Sequence, residues 1–212
     1  SLGHALFFGL AAYALMLVTP ENQAAGLLSS LAVAVGVAAI ASLLIGLLVL
    51  RTSGVYFIMV TLAFAQIAWA IVYQWDAFTG GSNGLTGVWP SEWFADKRAY
   101  YALTLALVLA GVFVLRRILH APFGYAMRAA RDSVLRADAI GIDVKRVQWV
   151  AFVIAGLFAG LAGALFAFSK GSISPESLHV GKSVDGLVMV LLGGIQTLAG
   201  PVVGAALFTC LH

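Results

Sequence analysis

His120–Arg146, HAPFGYAMRAARDSVLRADAIGIDVKR, decides the fold by contrast with its surroundings. It is charged, and almost everything around it is apolar. The 212-residue chain is 62% hydrophobic and 10% charged, with a mean hydropathy of +1.01. Soluble domains carry charge on about a quarter of their residues. So few charges cannot keep a surface wet, and the solvent must in part be lipid. Residues 116–146 hold seven of the twelve Lys and Arg against Asp132, Asp138 and Asp143, a net of +4; the remainder of the chain is −1. Cytoplasmic loops of membrane proteins carry an excess of Lys and Arg, so this segment marks the cytoplasmic side.

Within the segment, Pro122 suits the first position of a helix, where its missing N–H leaves no bond unmade. Phe123, Ala126, Met127, Ala130, Val134 and Ala137 recur at spacings of three and four, which predicts one amphipathic helix with a single apolar face. Arg128, Asp132 and Arg136 stand four apart and are placed to pair along it. Gly141 is positioned to end the helix in the left-handed conformation, and Asp143 to cap the next one. Two roles stay open on these residues alone. One is a helix across the cytoplasmic mouth on which a motor subunit docks and pushes; the other is a basic helix lying on anionic lipid.

Outward from the segment lie lipid-length runs. Tyr100–Leu115 precedes it, closed by Arg116-Arg117, and Val147–Phe168 follows, with Gly156, Gly160 and Gly163 spaced for close helix packing. Leu27–Leu50 is uncharged and long enough to cross. Val55–Trp75 crosses back through Gln66, and its Trp69, Tyr73 and Trp75 suit an interfacial belt. Leu2–Val18, ended at Thr19-Pro20-Glu21-Asn22, is near the lower limit for a span. Lys170–Lys182 reads as a loop. Val184–Leu192 is too short to cross, and Gly193-Gly194 and Gly200-Pro201 interrupt the run before it resumes at Val202–Leu211.

The expected fold is all-α: a polytopic transmembrane helical bundle with about five full spans, a broken or re-entrant segment, and one amphipathic cytoplasmic coupling helix. With residues 116–146 inside, Arg51 is inside, while Glu21 and residues 76–98 are outside. Lys97-Arg98 run against that assignment and are offset by Asp76, Glu92 and Asp96. The sequence opens at Ser1 and closes at His212 within apolar runs, which predicts helices missing at both ends.

No enzyme constellation is visible. There is no phosphate-binding glycine loop with Lys-Ser/Thr, no HExxH, no CxxC and no Gly-x-Ser-x-Gly. His4, His120, His179 and His212 are scattered, so no metal site is expected, and the single Cys210 allows no internal disulfide. Ser42, Thr61 and Ser169 have no base beside them in sequence. Proton-coupled pumps place ionisable groups in the membrane, whereas the spans here hold none apart from Asp185, at the lip of the short segment. Energy for transport must then come from a partner, or from an ion held by backbone carbonyls.

Three stretches are candidates for a translocation pathway. Gly80, Gly81, Ser82 and Asn83, within TGGSNGLTG (Thr79–Gly87), expose backbone at the membrane edge, a feature tolerated beside a polar cavity; the alternative is a plain turn. Gly193, Gly194 and Thr197 break an apolar segment, as pathway helices do; the alternative is a tight hairpin. Gln66, in mid-span, lines a pathway or bonds a neighbouring helix.

At the level of whole segments the chain resembles a known family. SLGHALFFGLAAYA (Ser1–Ala14), GVYFIMVTLAFAQI (Gly54–Ile67), TGGSNGL, FGYAMRAARDSVLRADAIGIDVKR (Phe123–Arg146) and LVMVLLGGIQTLAGPVVGAAL (Leu187–Leu207) look like the branched-chain amino acid permease of bacterial ATP-binding-cassette importers, in its M-type subunit. The resemblance implies that residues 1–212 are a single transmembrane permease domain, an internal fragment truncated at both ends, with 116–146 as a cytoplasmic coupling loop. It implies a multi-pass protein of the bacterial plasma (inner) membrane, without nucleic-acid partners. The implied partners are a second homologous permease subunit, two ATP-binding-cassette ATPase subunits and a periplasmic or extracellular binding protein that delivers Leu, Ile, Val or a related small solute.

No cofactor is implied in this chain, since ATP sits on the partner subunits, and the chain itself is then no enzyme. By the same resemblance Phe123–Asp132 is the coupling helix. Phe123, Gly124, Arg128, Arg131, Asp132 and Gly141 are its coupling residues. Many members carry an acidic residue where Val134 stands and Glu where Gln66 stands, so acidic roles are not expected at those two positions. The alternatives are an importer of urea or short amides, and a stand-alone channel or facilitator.

Overall fold

The computed structural model describes residues 2–19, 26–87 and 96–211. The axis of the bundle is α8 (Val144–Lys170), a helix of 27 residues. Against it lie α1 (His4–Val18) and α2 (Leu27–Val49), and these three make the main core. The reason is in the side chains α8 lacks. A Cβ at Gly156 would run into Ser42, one at Gly160 into Ala38, and one at Gly163 into the Phe8 carbonyl. In lipid the hydrophobic effect does not draw helices together, and small residues that let backbones approach do so instead. Aromatic rings fill the inner half: Phe7 meets Phe152 edge-on at 5.6 Å, and Phe57 meets the same ring at 6.3 Å.

The remaining helices are held more loosely. Running beside α1, α3 (Val55–Gln74) buries Thr61, Ala65 and Val72. By contrast α5 (Lys97–Leu119) buries no residue at all. It touches the core through Tyr100, Leu103 and Leu107, and the Tyr100 hydroxyl donates to the Leu165 carbonyl at 2.5 Å. Four of the described helices, α2, α3, α5 and α8, are long and apolar enough to cross a membrane. The fifth expected span, α1, has 15 residues, fewer than the roughly 20 a crossing takes; it is a short helix enclosed by the others.

The broken segment is a hairpin. Helix α9 (Val180–Gly193) reverses at residues 194–199, and α10 (Gly200–Leu211) runs back along it. Gly204 lies on the Met189 carbonyl and Gly193 on the Gly200 carbonyl, so the two backbones nearly touch. Neither helix, of 14 and 12 residues, reaches crossing length. The start of α9 falls inside the stretch 170–182 expected to be a loop. The cause is His179, whose Nδ1 accepts the Gly181 N–H at 3.2 Å and so caps the helix.

The two ends of the bundle differ. Arg51, Arg116-Arg117 and residues 120–146 gather at the end where α8 begins; the Arg51 turn shares a cleft with Gln148 and Phe152. At the other end a short helix α4 (Asp76–Thr79) and a 3₁₀ turn (Gly81–Asn83) lead into strand β1 (Leu85–Thr86). This strand pairs antiparallel with β2 (Ser172–Ile173), Leu85 opposite Ile173 and Thr86 opposite Ser172. A second 3₁₀ turn, Pro175–Leu178, then drops Leu178 against Gly9 of α1. The expected positions of Glu21, Trp89-Pro90 and Glu92 lie outside the described residues.

Candidate functional site

Chemistry-bearing residues collect at both ends. At the basic end, Pro122 opens α6 (Pro122–Asp132) at its first position, as the sequence predicts. The single amphipathic helix expected through Ala137 does not form. Ser133 is extended (φ −164°, ψ 112°), and a separate helix α7 (Val134–Ala139) follows. The Ser133 hydroxyl accepts the Arg136 N–H at 3.4 Å. Serine offers the backbone this bond in place of a helical one, and here the cap wins over continuation.

The break rearranges the charges. The expected Arg128–Asp132–Arg136 ladder is absent, because Ser133 turns Arg136 off the line of α6. Asp132 instead takes both Nε and Nη2 of its neighbour Arg131, at 3.1 and 3.0 Å. Arg128 lies over the Tyr125 ring at 5.5 Å and reaches the Leu119 carbonyl at 3.4 Å. Gly124 is buried, with the Leu119 carbonyl where a Cβ would stand, so it makes the α5–α6 corner and is not surface. Phe123 is half-buried, whereas Arg128, Arg131 and Asp132 are exposed. Of the expected apolar face, Ala130 and Ala137 pack with Val144 into a small core of their own, while Val134 faces out. Gly141 takes φ +86°, which a residue with a side chain adopts only under strain. Asp143 then caps α8 through the Arg146 N–H at 3.2 Å and pairs with its guanidinium at 2.8 Å. The exposed outer face of this module mixes Arg128, Arg131 and Asp132 with Tyr125, Leu135 and Ile140.

At the other end lies a cavity of about 590 Å³. One wall is Trp69 stacked on Tyr73, centroids 5.1 Å apart, with His179 edge-on to Trp69 at 5.9 Å. Glu176, Lys182 and Asp185 line it too, together with Ser82 and Ser174. A smaller cavity of about 220 Å³ shares Ser174, Glu176 and Lys182 and adds Asn83 and Lys170. Ser82 and Asn83 thus reach two adjoining spaces, while Gly81 is buried and Gly80 ends α4. Their backbone is not bare: the N–H groups of Gly80, Asn83 and Gly84 bond the carbonyls of Asp76, Gly80 and Gly81. Gln66 stands one turn inward of Trp69 on α3 and is exposed. Gly193, Gly194 and Thr197 form the hairpin turn at the far end of α9, about 12 Å beyond Asp185 of the cavity at a helical rise per residue. From the sequence alone Trp69 and Tyr73 read as an interfacial belt, and Glu176 and Lys182 as loop residues. The Lys182–Asp185 spacing of three was the available signal, and the β1–β2 pairing that assembles the cavity is not local.

A polytopic helical bundle with a rigidly cornered basic module at one end and a polar cavity at the other is the build of a membrane permease. The chain belongs to the family described as branched-chain amino acid transport system / permease component, matched over residues 1–212. It is 31% identical to the high-affinity branched-chain amino acid transport system permease protein LivM of Escherichia coli, over 97% of this chain and 55% of that one. The autoinducer 2 import system permease protein LsrC of Klebsiella pneumoniae is 35% identical over 46% of this chain and 27% of its own. The guanosine ABC transporter permease protein NupQ of Bacillus subtilis is 31% identical over 54% and 34%. The chain spans about half the length of LivM, the curated relative it matches over most of its residues. No solved structure matches. Family membership and four lipid-length helices make this a multi-pass protein of the plasma (inner) membrane.

Proposed function

We propose that this chain forms half of the translocation pathway of an ATP-driven importer for branched-chain or related small amino acids. Separate ATPase subunits supply the energy, a second homologous permease supplies the other half of the pathway, and a binding protein outside the membrane supplies the solute. The observation that carries the reading is the join between α6–α7 and α8. Ala130, Ala137 and Val144 pack together, and Asp143 caps α8 at the corner. A force on the exposed face of α6 therefore reaches a spanning helix without passing through a flexible link. A helix merely resting on lipid needs no such corner.

The test is the double substitution Arg128→Glu, Arg131→Glu in the full-length chain within its importer. Reversing two charges at a docking face removes favourable pairs and adds repulsion. Uptake is expected to fall at least about tenfold, with ATP hydrolysis and membrane insertion kept. Unchanged uptake defeats the docking role. Uptake by this chain alone in liposomes without nucleotide defeats the importer reading in favour of a facilitator.

A further inference from the structure

We propose that the outer cavity is a selectivity vestibule for zwitterions, with Lys182 receiving the carboxylate of an α-amino acid and Glu176 with Asp185 receiving its ammonium. The proposal rests on the importer reading above and assigns the solute's chemistry to residues of this chain.

Three observations converge. First, the cavity carries both signs of charge, and the charges are not spent on each other. Among the described residues the ion pairs are Arg131–Asp132 and Arg146–Asp143, both at the opposite end; Glu176, Lys182 and Asp185 pair with nothing. Lys182 and Asp185 stand three apart on α9, on one face, and still do not meet. The Lys182 ammonium lies 5.8 Å from the Phe166 ring, which Lys170 approaches to 4.8 Å. Second, the positions are fixed. Lys182 and Asp185 ride on a helix capped by His179, and Glu176 sits in a 3₁₀ turn anchored by buried Pro175 and Leu178. Third, part of the lining is aromatic. Trp69 and Tyr73 are stacked, and His179, whose Nδ1 is engaged by Gly181, leaves Nε2 as its remaining ring nitrogen.

A small molecule with a fixed positive and a fixed negative group beside an apolar side chain satisfies all three features together. Its charges meet partners already in place, and its side chain lies on the Trp69–Tyr73 face, which also attracts the ammonium. A sugar, a nucleoside or a neutral amide brings no charge. It gains no charge-assisted bond from these three groups and is therefore held more weakly than a zwitterion. The vestibule therefore separates this chain's solute class from those named for its relatives NupQ and LsrC.

The experiment uses the full-length chain in its assembled importer, in nanodiscs, with tryptophan fluorescence as the readout. It is titrated with L-leucine, with leucinamide, which lacks the carboxylate, and with isocaproate, which lacks the amine. Leucine is expected to give a saturable change that Trp69→Phe removes, and each analogue to act at least about tenfold more weakly. Lys182→Met is expected to weaken the leucine response about tenfold while leaving the leucinamide response unchanged. Equal responses to all three compounds, or none to leucine, overturn the proposal. So does a Lys182→Met variant that loses affinity for the binding protein and keeps the leucine response, since the charges then serve docking. ATP-dependent leucine uptake, measured alongside, reports the parent reading separately. Uptake without a zwitterion-selective response keeps the importer and removes the vestibule; its absence removes both.

Discussion

Helices α8 and α5 are alike in hydropathy and unlike in everything else. Both are apolar along most of their length, and both are longer than a crossing requires. Yet α8 buries nine residues, from Val144 to Phe168, and α5 buries none. The difference lies in side-chain size along the facing stripe. On α8 three glycines admit α1 and α2, whereas α5 presents Tyr101, Leu105, Leu109 and Phe113 outward and has Gly111 alone near a neighbour's ring. Hydropathy decides that a helix enters lipid; small residues decide whether another helix can reach it.

Three substitutions in the intact importer sharpen that contrast. Gly163→Val should be the most damaging. Its side chain meets the Phe8 backbone, which cannot rotate away, and overpacking of this kind costs about 3 kcal/mol. A thermal-unfolding assay in detergent should show a lower midpoint or no folded protein, and a wild-type midpoint would mean that α1 and α8 do not pack through this site. Tyr100→Phe removes the one hydrogen bond described between α5 and α8. Such bonds in membranes are worth about 0.6 kcal/mol on average, so a small loss of midpoint is expected, visible against Gly163→Val and no larger. Leu109→Ala, on the outward face of α5, should change the stability of this subunit by less than about 0.5 kcal/mol. A large loss there in the assembled importer, absent from the isolated chain, would place a partner helix against that face.

The helices themselves were legible, because an apolar run of lipid length has few other readings. The caps were legible too: Pro122, Gly141 and Asp143 each do what their chemistry favours locally. The break at Ser133 and the outer cavity were not. The break at Ser133 was hidden because the spacing of Ala130, Val134 and Ala137 continues a helical pattern straight through it. One hydroxyl competing for one N–H leaves no trace in that periodicity. The outer cavity was hidden for a different reason. Trp69, Ser82 and Lys182 are far apart in sequence and are gathered by two short strands. Each has an ordinary explanation on its own, as belt, turn and loop. Only Asp185, a carboxylate at the lip of an apolar segment, stood out, and its partners in the cavity were not visible from its position.

The 27-residue length of α8 has a mechanical consequence. At 1.5 Å per residue it is a strut of about 40 Å. Its inner end is bonded to the corner with α7, and its outer end continues into β2, which holds one side of the vestibule in place. A tilt of about 5° about the inner end swings the outer end by about 3–4 Å. Trp69 and Tyr73 belong to α3, a separate helix on the same cavity. Under the proposed docking role, a push on the basic end of α8 is felt at the other end as a displacement of β2 and of the cavity rim beside it.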